Sequence, residues 1–216
     1  MIKKEDISLI LADDHPMLLK GLYDELSVNN YNVVGQANNG MQALELVLKL
    51  KPTIALLDID MPLLTGFEVV KMAKEKGTST KFIILSYHKE IDYITKAKTL
   101  QLNGYLLKED SFFEIERCIE AVLDDEIYFS NSFDNLAIEN ASEELKRLKL
   151  LTPSEVTILK LIVQGMTNTE LSDNLGVSVR TVEKHRSNIV NKLEIEGGTN
   201  AVINWALKHK DVIIDF

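Results

Sequence analysis

The stretch "IALLDIDMP", residues Ile54 to Pro62, places Asp58 and Asp60 directly after a short apolar run. Short continuous apolar runs are typical of parallel strands that are covered on both faces. An aspartate that follows such a strand lies at the edge of the sheet where open α/β proteins bind their ligands. The stretch therefore predicts a parallel sheet with a functional carboxylate at Asp58.

Four more apolar runs occur before residue 123, and segments with helical periodicity separate them. Strands that alternate with helices predict a doubly wound, flavodoxin-like (βα)5 domain with strand order 2-1-3-4-5. The five predicted strands are Ile7–Ala12, Asn32–Ala37, Ile54–Leu57, Phe82–Leu85 and Gly104–Leu107.

The C-terminal part of the chain is predicted to be all helical. Thr152 with Glu155, and Thr167 with Glu170, have the spacing of capping boxes, and Ser178 is a predicted N-cap. A short helix, a turn that contains glycine and a longer polar-faced helix form a helix-turn-helix motif. With a last helix over "NAVINWALKHK", the pattern predicts a four-helix domain.

Charge divides the chain in the same way. Residues 1–145 hold 14 Lys and Arg against 25 Asp and Glu, a net charge of −11, whereas residues 146–216 hold 10 against 8, or +2. We expect an acidic domain over residues 1–129, a polar and partly helical linker over 130–149 and a helix-turn-helix domain over 150–216.

Composition excludes several classes of protein. In 216 residues with 45% apolar content, no apolar run approaches the ~20 residues that cross a bilayer, and the start "MIKKEDISLI" lacks the pattern of a signal peptide. We therefore expect a soluble, cytoplasmic protein. Cys118 is the only cysteine and the four histidines are scattered, so neither a disulfide nor a zinc site is expected.

Polar residues follow four of the five predicted strands. Asp13 and Asp14 end the first strand, Asp58 the third, Ser86 the fourth and Lys108 the fifth. An acidic pair after a strand is often only a helix cap or a solvated loop, and a single lysine there usually has no special role. The joint pattern favours function, because all of these side chains converge where the strand order reverses.

Repulsion between the carboxylates favours a divalent cation, and Mg²⁺ suits oxygen ligands. We expect Asp14 and Asp58 to bind it directly, Asp13 to bind through water, and the Asp60 carbonyl to add a backbone ligand. Asp58 would then attack a phosphoryl group in line, with Lys108 and the Ser86 hydroxyl holding its oxygens.

The motifs "LADDHP", "LLDIDMPLLTG", "IILS" and "GYLLK" resemble those of the receiver domain of two-component response regulators. The resemblance implies that Asp58 is the phosphoacceptor for a histidine kinase and that Ser86 and Lys108 are switch residues. Tyr105 corresponds to the aromatic residue that turns inward after phosphorylation; packing of this strand residue on the fourth helix is a second interpretation, and the two are compatible.

Three positions are unusual or variable relative to that family. Tyr87 stands where a small residue is common, so access to the phosphoryl pocket is expected to be narrowed. Asp60 and His88 occupy variable positions. Our hypothesis is that these three side chains flank the route of the attacking water and set the lifetime of the phosphoryl group.

An alternative function comes from "DID", which also resembles the Asp-x-Asp motif of haloacid dehalogenase-like phosphatases. That motif lies on the first strand and has Thr or Val four residues after the nucleophile, whereas here it follows the third strand and the residue is Pro62. A phosphatase would also leave Asp13, Asp14 and the C-terminal domain unexplained.

The segment "LTPSEVTILKLIVQGMTNTELSDNLGVSVRTVEKHRSNIVNKLEI" resembles the LuxR-type helix-turn-helix of NarL/FixJ regulators. Periodicity predicts that Val182, Ile189 and Leu193 of its third helix face the core. The opposite face is predicted to contact double-stranded DNA. The candidate DNA-binding residues are Arg180, Thr181, Glu183, Lys184, Arg186, Ser187, Asn188 and Lys192.

Side-chain chemistry divides these candidates. Lys184 suits guanine and Asn188 suits adenine, whereas Thr181, Arg186 and Lys192 are expected to bind phosphates. Glu183 either accepts from cytosine or is only solvated. His185 lies near the core side of the helix, so packing or a phosphate contact is favoured over base reading, and Thr169 replaces a lysine that is common in the family.

A charge of +2 gives weak DNA binding to a monomer, so dimerisation is expected to double the contacts. Val202, Trp205 and Ala206 form a stripe on the last helix that His209 could extend, and this helix corresponds to the dimerisation helix of the family. Packing of this stripe on its own domain is the alternative.

Together these features predict a phosphorylation-dependent transcription regulator, which is not an enzyme beyond self-phosphotransfer and autodephosphorylation at Asp58. The resemblance implies that phosphorylation releases the recognition helix and promotes homodimerisation. The remaining alternative is a phosphorylation-independent DNA-binding protein whose receiver serves only for interaction.

Overall fold

The computed structural model describes residues 3–197 and 200–216. They divide into two compact units, one of Met1–Lys89 with Leu100–Asp134 and the other of Glu90–Thr99 with Asn135–Phe216. The predicted order of a sheet domain followed by a helical domain is present, but the division differs in detail. The segment 90–99 groups with the helical unit, and the predicted linker supplies a helix to that unit.

The first unit contains a parallel six-stranded sheet in the order β2-β1-β3-β4-β5-β6. Its strands are β1 (Ser8–Ala12), β2 (Asn32–Ala37), β3 (Ile54–Leu57), β4 (Lys81–Ser86), β5 (Gly104–Leu107) and β6 (Tyr128–Phe129). Its helices are α1 (Pro16–Val28), α2 (Gly40–Leu50), α3 (Gly66–Glu75) and α5 (Phe112–Leu123).

The predicted order of the first five strands is confirmed. The prediction missed β6, because two half-buried residues are too few to show a periodicity. It was also wrong that all five strands are covered on both faces. Strand β2 lies at the edge of the sheet and only Ala37 among its residues is buried, whereas β3 and β5 are fully buried.

The second unit is entirely helical in the residues described. It consists of α4 (Ile91–Thr99), α6 (Asn135–Leu148), α7 (Pro153–Val163), α8 (Asn168–Leu175), α9 (Val179–Leu193), α10 (Ala201–Lys208) and α11 (Lys210–Asp215). Helix α4 packs against α6 and α11. The prediction of four C-terminal helices was wrong, since the last one is broken at His209 and α7–α11 are five.

Local sequence signals place the helix starts of this unit. Both predicted capping boxes, Thr152 with Glu155 and Thr167 with Glu170, are present, and the Ser178 hydroxyl caps α9. Each cap satisfies backbone N–H groups that the first turn leaves without partners. Among the described residues, no helix is both long enough and apolar enough to span a bilayer.

Candidate phosphoacceptor site and nucleic-acid interface

Strand register brings the predicted acidic residues together at one edge of the sheet. Ala12 of β1 pairs with Leu57 of β3, so Asp13 and Asp58 follow at the same level. The Asp58 backbone N–H donates to the Ala12 carbonyl over 2.8 Å, and the Lys108 N–H donates to the Ser86 carbonyl over 2.9 Å. The backbone thus fixes where all four functional side chains begin.

A buried ion-pair network joins three of these side chains. The Lys108 ammonium lies 2.7 Å from Asp13 Oδ2 and 2.8 Å from Asp58 Oδ2. The side chains of Lys108 and Asp58 are each only 3% exposed. The three also line a cavity of about 240 Å³. A buried ammonium that bridges two carboxylates is positioned to hold the oxygens of an anion transferred to Asp58.

The network is short of positive charge. Burial raises the pKa of Asp58, the neighbouring charge of Asp13 adds to the rise, and Lys108 only partly offsets it. Burial alone would lower the pKa of Lys108, but its hydrogen bonds to Asp13 and Asp58 raise it, so the ammonium stays protonated. Two buried carboxylates therefore share one cation, and a further cation would be electrostatically favourable.

The donor set next to this network fits a divalent cation. Asp13, Asp14, His15 and Asp58 each offer a ligand atom, and these atoms lie within 4.8 Å of one another. Asp14 Oδ1 is buried without an aligned hydrogen-bond partner in the described chain, although the His15 ring nitrogen is 2.9 Å away. Carboxylate oxygens are the ligands that Mg²⁺ prefers.

Two further residues, His15 and Asp60, lie in the acidic region. Sequence reasoning omitted His15, whose backbone N–H donates to Asp13 Oδ1 over 2.8 Å; its position in "DDHP" was the available signal. The Asp60 carboxylate lies outside the ligand cluster and instead contacts His88 Nε2 at 2.8 Å. The prediction for Asp60 concerned its backbone carbonyl and stays a prediction.

The predicted switch residues Ser86 and Tyr105 are fully buried, and both contact the backbone of His88. The Ser86 hydroxyl accepts from the His88 N–H over 3.2 Å, and the Tyr105 hydroxyl donates to the His88 carbonyl over 3.0 Å. The Tyr105 ring lies 5.0 Å from that of Phe133. The ring lies inward in this structure, and the prediction that it turns inward after phosphorylation stays a prediction.

Tyr87 lies next to the ion-pair network. The Lys108 ammonium is 5.5 Å from the centre of the Tyr87 ring, within reach of a cation–π interaction, while the tyrosine is 62% exposed. Tyr87 thus lies beside the lysine that contacts Asp58, and the other two residues of the lifetime hypothesis, Asp60 and His88, contact each other.

Gly66 begins α3 directly against Asp58. A Cβ at position 66 would lie 2.2 Å from the Asp58 carbonyl oxygen, which is closer than any carbon can approach. The Gly66 N–H donates to the Ile59 carbonyl over 2.9 Å. Glycine at this position therefore lets α3 start where it supports the loop after β3.

The predicted two faces of α9 are confirmed by burial. Val182, Ile189 and Leu193 are buried in the core of the second unit. The opposite face carries the exposed side chains Arg180, Glu183, Lys184, Ser187 and Asn191, with Asn188 half-buried.

Three predicted phosphate-contacting residues have structural partners of their own. Arg186 donates to Asn168 Oδ1 over 2.7 Å, Lys192 lies 2.7 Å from the buried carboxylate of Glu155, and the Thr181 hydroxyl lies 2.8 Å from that of Ser178. Arg186 and Lys192 thereby tie α9 to α8 and α7. Their predicted DNA contacts remain predictions that require these side chains to serve both purposes.

The predicted dimerisation stripe packs largely on its own unit. Val202 and Ala206 are buried in the core around α7 and α9, and Trp205 packs against that core. This is the alternative that the sequence left open for the stripe, and it leaves Trp205 as the half-buried member.

His185 is half-buried, and its Nδ1 has no hydrogen-bond partner among the described residues.

Comparison with known proteins supplies the family. Residues 9–122 match the family described as "Response regulator receiver domain", and residues 149–204 match "Bacterial regulatory proteins, luxR family". The chain is 35% identical over 211 residues to the transcriptional regulatory protein MctR of Rhizobium johnstonii, covering 97% of both chains. It is 30% identical to the nitrate/nitrite response regulator protein NarL of Escherichia coli, covering 94% of this chain and 96% of that one.

Solved structures show the same fold. A DNA-binding response regulator of the LuxR family from Staphylococcus aureus is 32% identical, with a TM-score of 0.52 over 54% of this chain and 98% of that one. The structure of RcsB from Salmonella enterica bound to a promoter is similar in fold, at 22% identity and a TM-score of 0.61, covering 94% of this chain and 99% of that one.

The two family matches follow one another along the chain in the same order as the sheet unit and the helical unit. The relatives match nearly the full length of the chain. The acidic edge of the sheet lies in the first matched segment, and α9 lies in the second. The chain therefore belongs to the response regulators of the NarL/FixJ type, and it is a DNA-binding transcription regulator of a two-component system.

Proposed function

We propose that Asp58 is the residue through which this regulator is switched, by accepting a phosphoryl group from a histidine kinase. The observation that carries the proposal is the Lys108 ammonium held between Asp58 and Asp13 at 2.8 and 2.7 Å. It leaves Asp58 as a buried carboxylate with a fixed cation beside the oxygen that would be phosphorylated. Residues 1–129 act as the receiver, 130–149 as the linker and 150–216 as the DNA-binding domain.

In the proposed transfer, an Asp58 carboxylate oxygen attacks the phosphorus of a phosphohistidine. The new O–P bond forms as the P–N bond breaks, and the kinase imidazole takes up a proton. Lys108 and the Ser86 hydroxyl hold the phosphoryl oxygens. The later loss of the group to water is the only other chemistry expected of the chain, so it is not an enzyme with an external product.

Mg²⁺ fits the acidic cluster, and we propose that Asp13, Asp14 and Asp58 hold it with the Asp60 carbonyl. When bound, the ion would offset negative charge on the phosphoryl oxygens. Lys108 keeps the carboxylates of Asp13 and Asp58 oriented, and the backbone of β1 and β3 fixes the separation between these two residues.

The signal is proposed to pass through the loop after β4. A phosphoryl group on Asp58 would accept a hydrogen bond from the Ser86 hydroxyl and draw toward Asp58 the same oxygen that accepts from the His88 N–H. Tyr105 holds the carbonyl of the same residue. Movement of Ser86 would therefore change a loop that two switch residues share, and that loop leads directly into α4.

The output is proposed to be DNA binding by the polar face of α9. Lys184 and Asn188 read base edges, while Arg180, Ser187 and Glu183 extend the contact surface. Thr181, Arg186 and Lys192 contact phosphates. Phosphorylation is proposed to produce a homodimer, with Trp205 as the half-buried side chain of the α10 stripe that remains available.

The experiment compares wild type with Asp58→Asn, each incubated with Mg²⁺ and acetyl phosphate, by intact mass, size-exclusion chromatography and binding to labelled promoter DNA. We expect wild type alone to gain one phosphoryl group, form a dimer and bind DNA more tightly. Lys20→Gln, an exposed change on α1, is the control and should behave as wild type.

Phosphorylation of Asp58→Asn to the same extent as wild type would show that another residue is the acceptor. DNA binding that is equal in both proteins, with and without acetyl phosphate, would favour the phosphorylation-independent alternative.

A further inference from the structure

A second cluster of metal-ligand side chains lies entirely in the helical unit. Asp92 of α4, Glu144 of α6 and His209 between α10 and α11 each offer a ligand atom, and the three atoms lie within 4.8 Å of one another. His209 Nδ1 is 2.7 Å from Glu144 Oε1 and 3.2 Å from Asp92 Oδ1. The cluster does not include any of the candidate DNA-binding residues of α9.

The imidazole of His209 is held in place by its surroundings. His209 is only 8% exposed, and its ring stacks on the Trp205 ring at 4.4 Å between centres. Its backbone N–H donates to the Trp205 carbonyl over 3.0 Å and closes α10. The ring is therefore held with Nδ1 beside the two carboxylates.

The contacts within the cluster are short but poorly aligned. Within the described residues, neither His209 Nδ1 nor Glu144 Oε1 has a partner with hydrogen-bond geometry, although both atoms are buried and only 2.7 Å apart. A simple ion pair would direct the N–H at an oxygen. His209 Nδ1 and Glu144 Oε1 are therefore buried polar atoms that face one another without an aligned partner.

The separations suit a small transition-metal ion. Zn²⁺ binds imidazole nitrogen and carboxylate oxygen at about 2.0–2.2 Å, so neighbouring ligands in a tetrahedron lie about 3.3 Å apart. The Asp92 oxygen already has this separation from Nδ1. The Glu144 oxygen is closer, and a small rotation of its flexible side chain would bring it to the same distance.

We propose that Asp92, Glu144 and His209 form a binding site for a divalent transition-metal ion of the Zn²⁺ class, with water as the fourth ligand. An imidazole ligand favours Zn²⁺ over Mg²⁺ or Ca²⁺, which take oxygen ligands. A cavity of about 390 Å³ is lined by all three side chains and supplies room for entry and for the water.

Supporting contacts surround the ligands. The Thr95 hydroxyl of α4 donates to Glu144 Oε2 over 3.2 Å, which leaves Oε1 for the ion. Such outer hydrogen bonds orient carboxylate ligands. Lys96 of α4 also lies 2.9 Å from Asp215 of α11, so the helices that carry the ligands are held together independently of them.

The alternative to a bound metal ion is a protonated His209 imidazole that forms ion pairs with Asp92 and Glu144. Burial alone would lower the pKa of His209, but Asp92 and Glu144 together raise it to about 9. The carboxylates therefore attract positive charge to this position, and a proton and a metal ion compete for the same lone pair. Only a metal-binding measurement separates the two.

Occupancy of the site would matter for regulation because of where α4 lies in the chain. Helix α4 joins β4, which ends in Ser86, to β5, which contains Tyr105. An ion bound to Asp92, Glu144 and His209 would link α4 to α6 and to the end of α10. It would thereby restrain the segment between the two switch residues.

The test uses the full chain, freed of metal with a chelator and titrated with ZnCl₂ by calorimetry in excess Mg²⁺, which competes with Zn²⁺ for the acidic cluster of the receiver. We expect one equivalent of Zn²⁺ to bind. His209→Gln and Glu144→Gln should each weaken binding by about 10-fold to 100-fold or more. Glu139→Gln, an exposed change on the same helix α6, should bind as wild type.

X-ray absorption of the Zn²⁺ complex should show one imidazole nitrogen among oxygen ligands. Absence of binding by wild type, or equal binding by wild type, His209→Gln and Glu144→Gln, would overturn the proposal in favour of the ion pair. If circular dichroism shows that His209→Gln is unfolded, Asp92→Asn replaces it. A spectrum without imidazole would also exclude the site.

Discussion

The Tyr105 hydroxyl donates a hydrogen bond to the backbone carbonyl of His88 over 3.0 Å, which ties the end of the sheet to the loop after β4. Tyr105→Phe removes this bond at a cost of about 1 kcal/mol, since the carbonyl loses a buried partner. We expect amide exchange in the loop 87–90 to be about fivefold faster, measured by hydrogen–deuterium exchange.

Tyr23→Phe, which removes a hydroxyl on α1, is the matched control and should leave exchange in this loop unchanged. Equal exchange in Tyr105→Phe and wild type would show that the hydrogen bond does not hold the loop.

Gly66 and Gly21 differ in the space that is available for a side chain. Gly66→Ala would place a Cβ 2.2 Å from the Asp58 carbonyl oxygen, whereas a Cβ on Gly21 of α1 would meet no atom of the described residues within 4 Å. We expect Gly66→Ala to lower the free energy of unfolding by about 1–3 kcal/mol and to reduce phosphorylation by acetyl phosphate. Gly21→Ala should raise stability by about 0.5–1 kcal/mol.

Thermal unfolding and intact mass provide the measurements for both variants. A Gly66→Ala protein that is as stable as Gly21→Ala would mean that α3 can shift away from Asp58 without cost.

The lifetime of the phosphoryl group is expected to depend on Asp60, Tyr87 and His88. Tyr87 lies beside Lys108, and Asp60 contacts His88 at 2.8 Å, so each change should alter the access of water to Asp58. We expect Tyr87→Ala to shorten the half-life by up to about tenfold, which corresponds to about 1.4 kcal/mol in the barrier. Loss of radiolabel from the phosphorylated protein gives the half-life.

Glu75→Ala, an exposed change at the far end of α3, is the control. The hypothesis fails when Asp60→Asn, Tyr87→Ala and His88→Ala all retain the half-life of wild type.

The stability of the helical unit should depend on pH through Glu155. Burial alone would raise the pKa of this carboxyl, but Lys192 and the Thr152 cap lower it below its usual value of 4.5. Because the folded-state pKa is lower than the unfolded one, the stabilisation is present above about pH 4.5 and is lost as the pH falls through the folded-state pKa.

Glu155→Gln keeps a capping side chain but removes the charge. Its free energy of unfolding should therefore change less than that of wild type between pH 6 and pH 3, because the contribution of one carboxyl with a lowered pKa is lost. Urea unfolding at a series of pH values measures this, with Glu139→Gln as the exposed control. The same pH dependence in Glu155→Gln and wild type would assign the acid sensitivity to other groups.

Lys184 is expected to contribute directly to DNA binding. It is exposed on the polar face of α9, and a lysine contact to a guanine edge contributes about 1–3 kcal/mol of discrimination. Lys184→Gln should weaken binding to the promoter, relax its sequence preference and lower the salt dependence by about one unit of slope. Fluorescence anisotropy over a range of salt concentrations measures all three.

Lys20→Gln makes the same change of charge on α1 and should not affect the slope. Unchanged sequence preference in Lys184→Gln would limit Lys184 to a phosphate contact.

Local sequence patterns determined the starts of two helices and the positions of the polar residues at the edge of the sheet. The capping boxes at Thr152 and Thr167 act over three residues, so the starts of α7 and α8 could be predicted from the sequence alone. The apolar strands, each followed by a polar residue, placed Asp13, Asp58, Ser86 and Lys108 at one edge of the sheet, because parallel strands end together. The motifs at these positions also identified the family.

Tertiary structure decided what no local pattern encodes. The break at His209 has no glycine or proline to announce it, and the backbone leaves helical geometry where the ring stacks on Trp205 and turns to Glu144. No sequence pattern predicts the second metal cluster, since Asp92, Glu144 and His209 are far apart along the chain and have no metal-type spacing. Only the packing of α4, α6 and the C-terminal helices brings them together, because side-chain contacts between distant segments depend on the whole fold rather than on spacing.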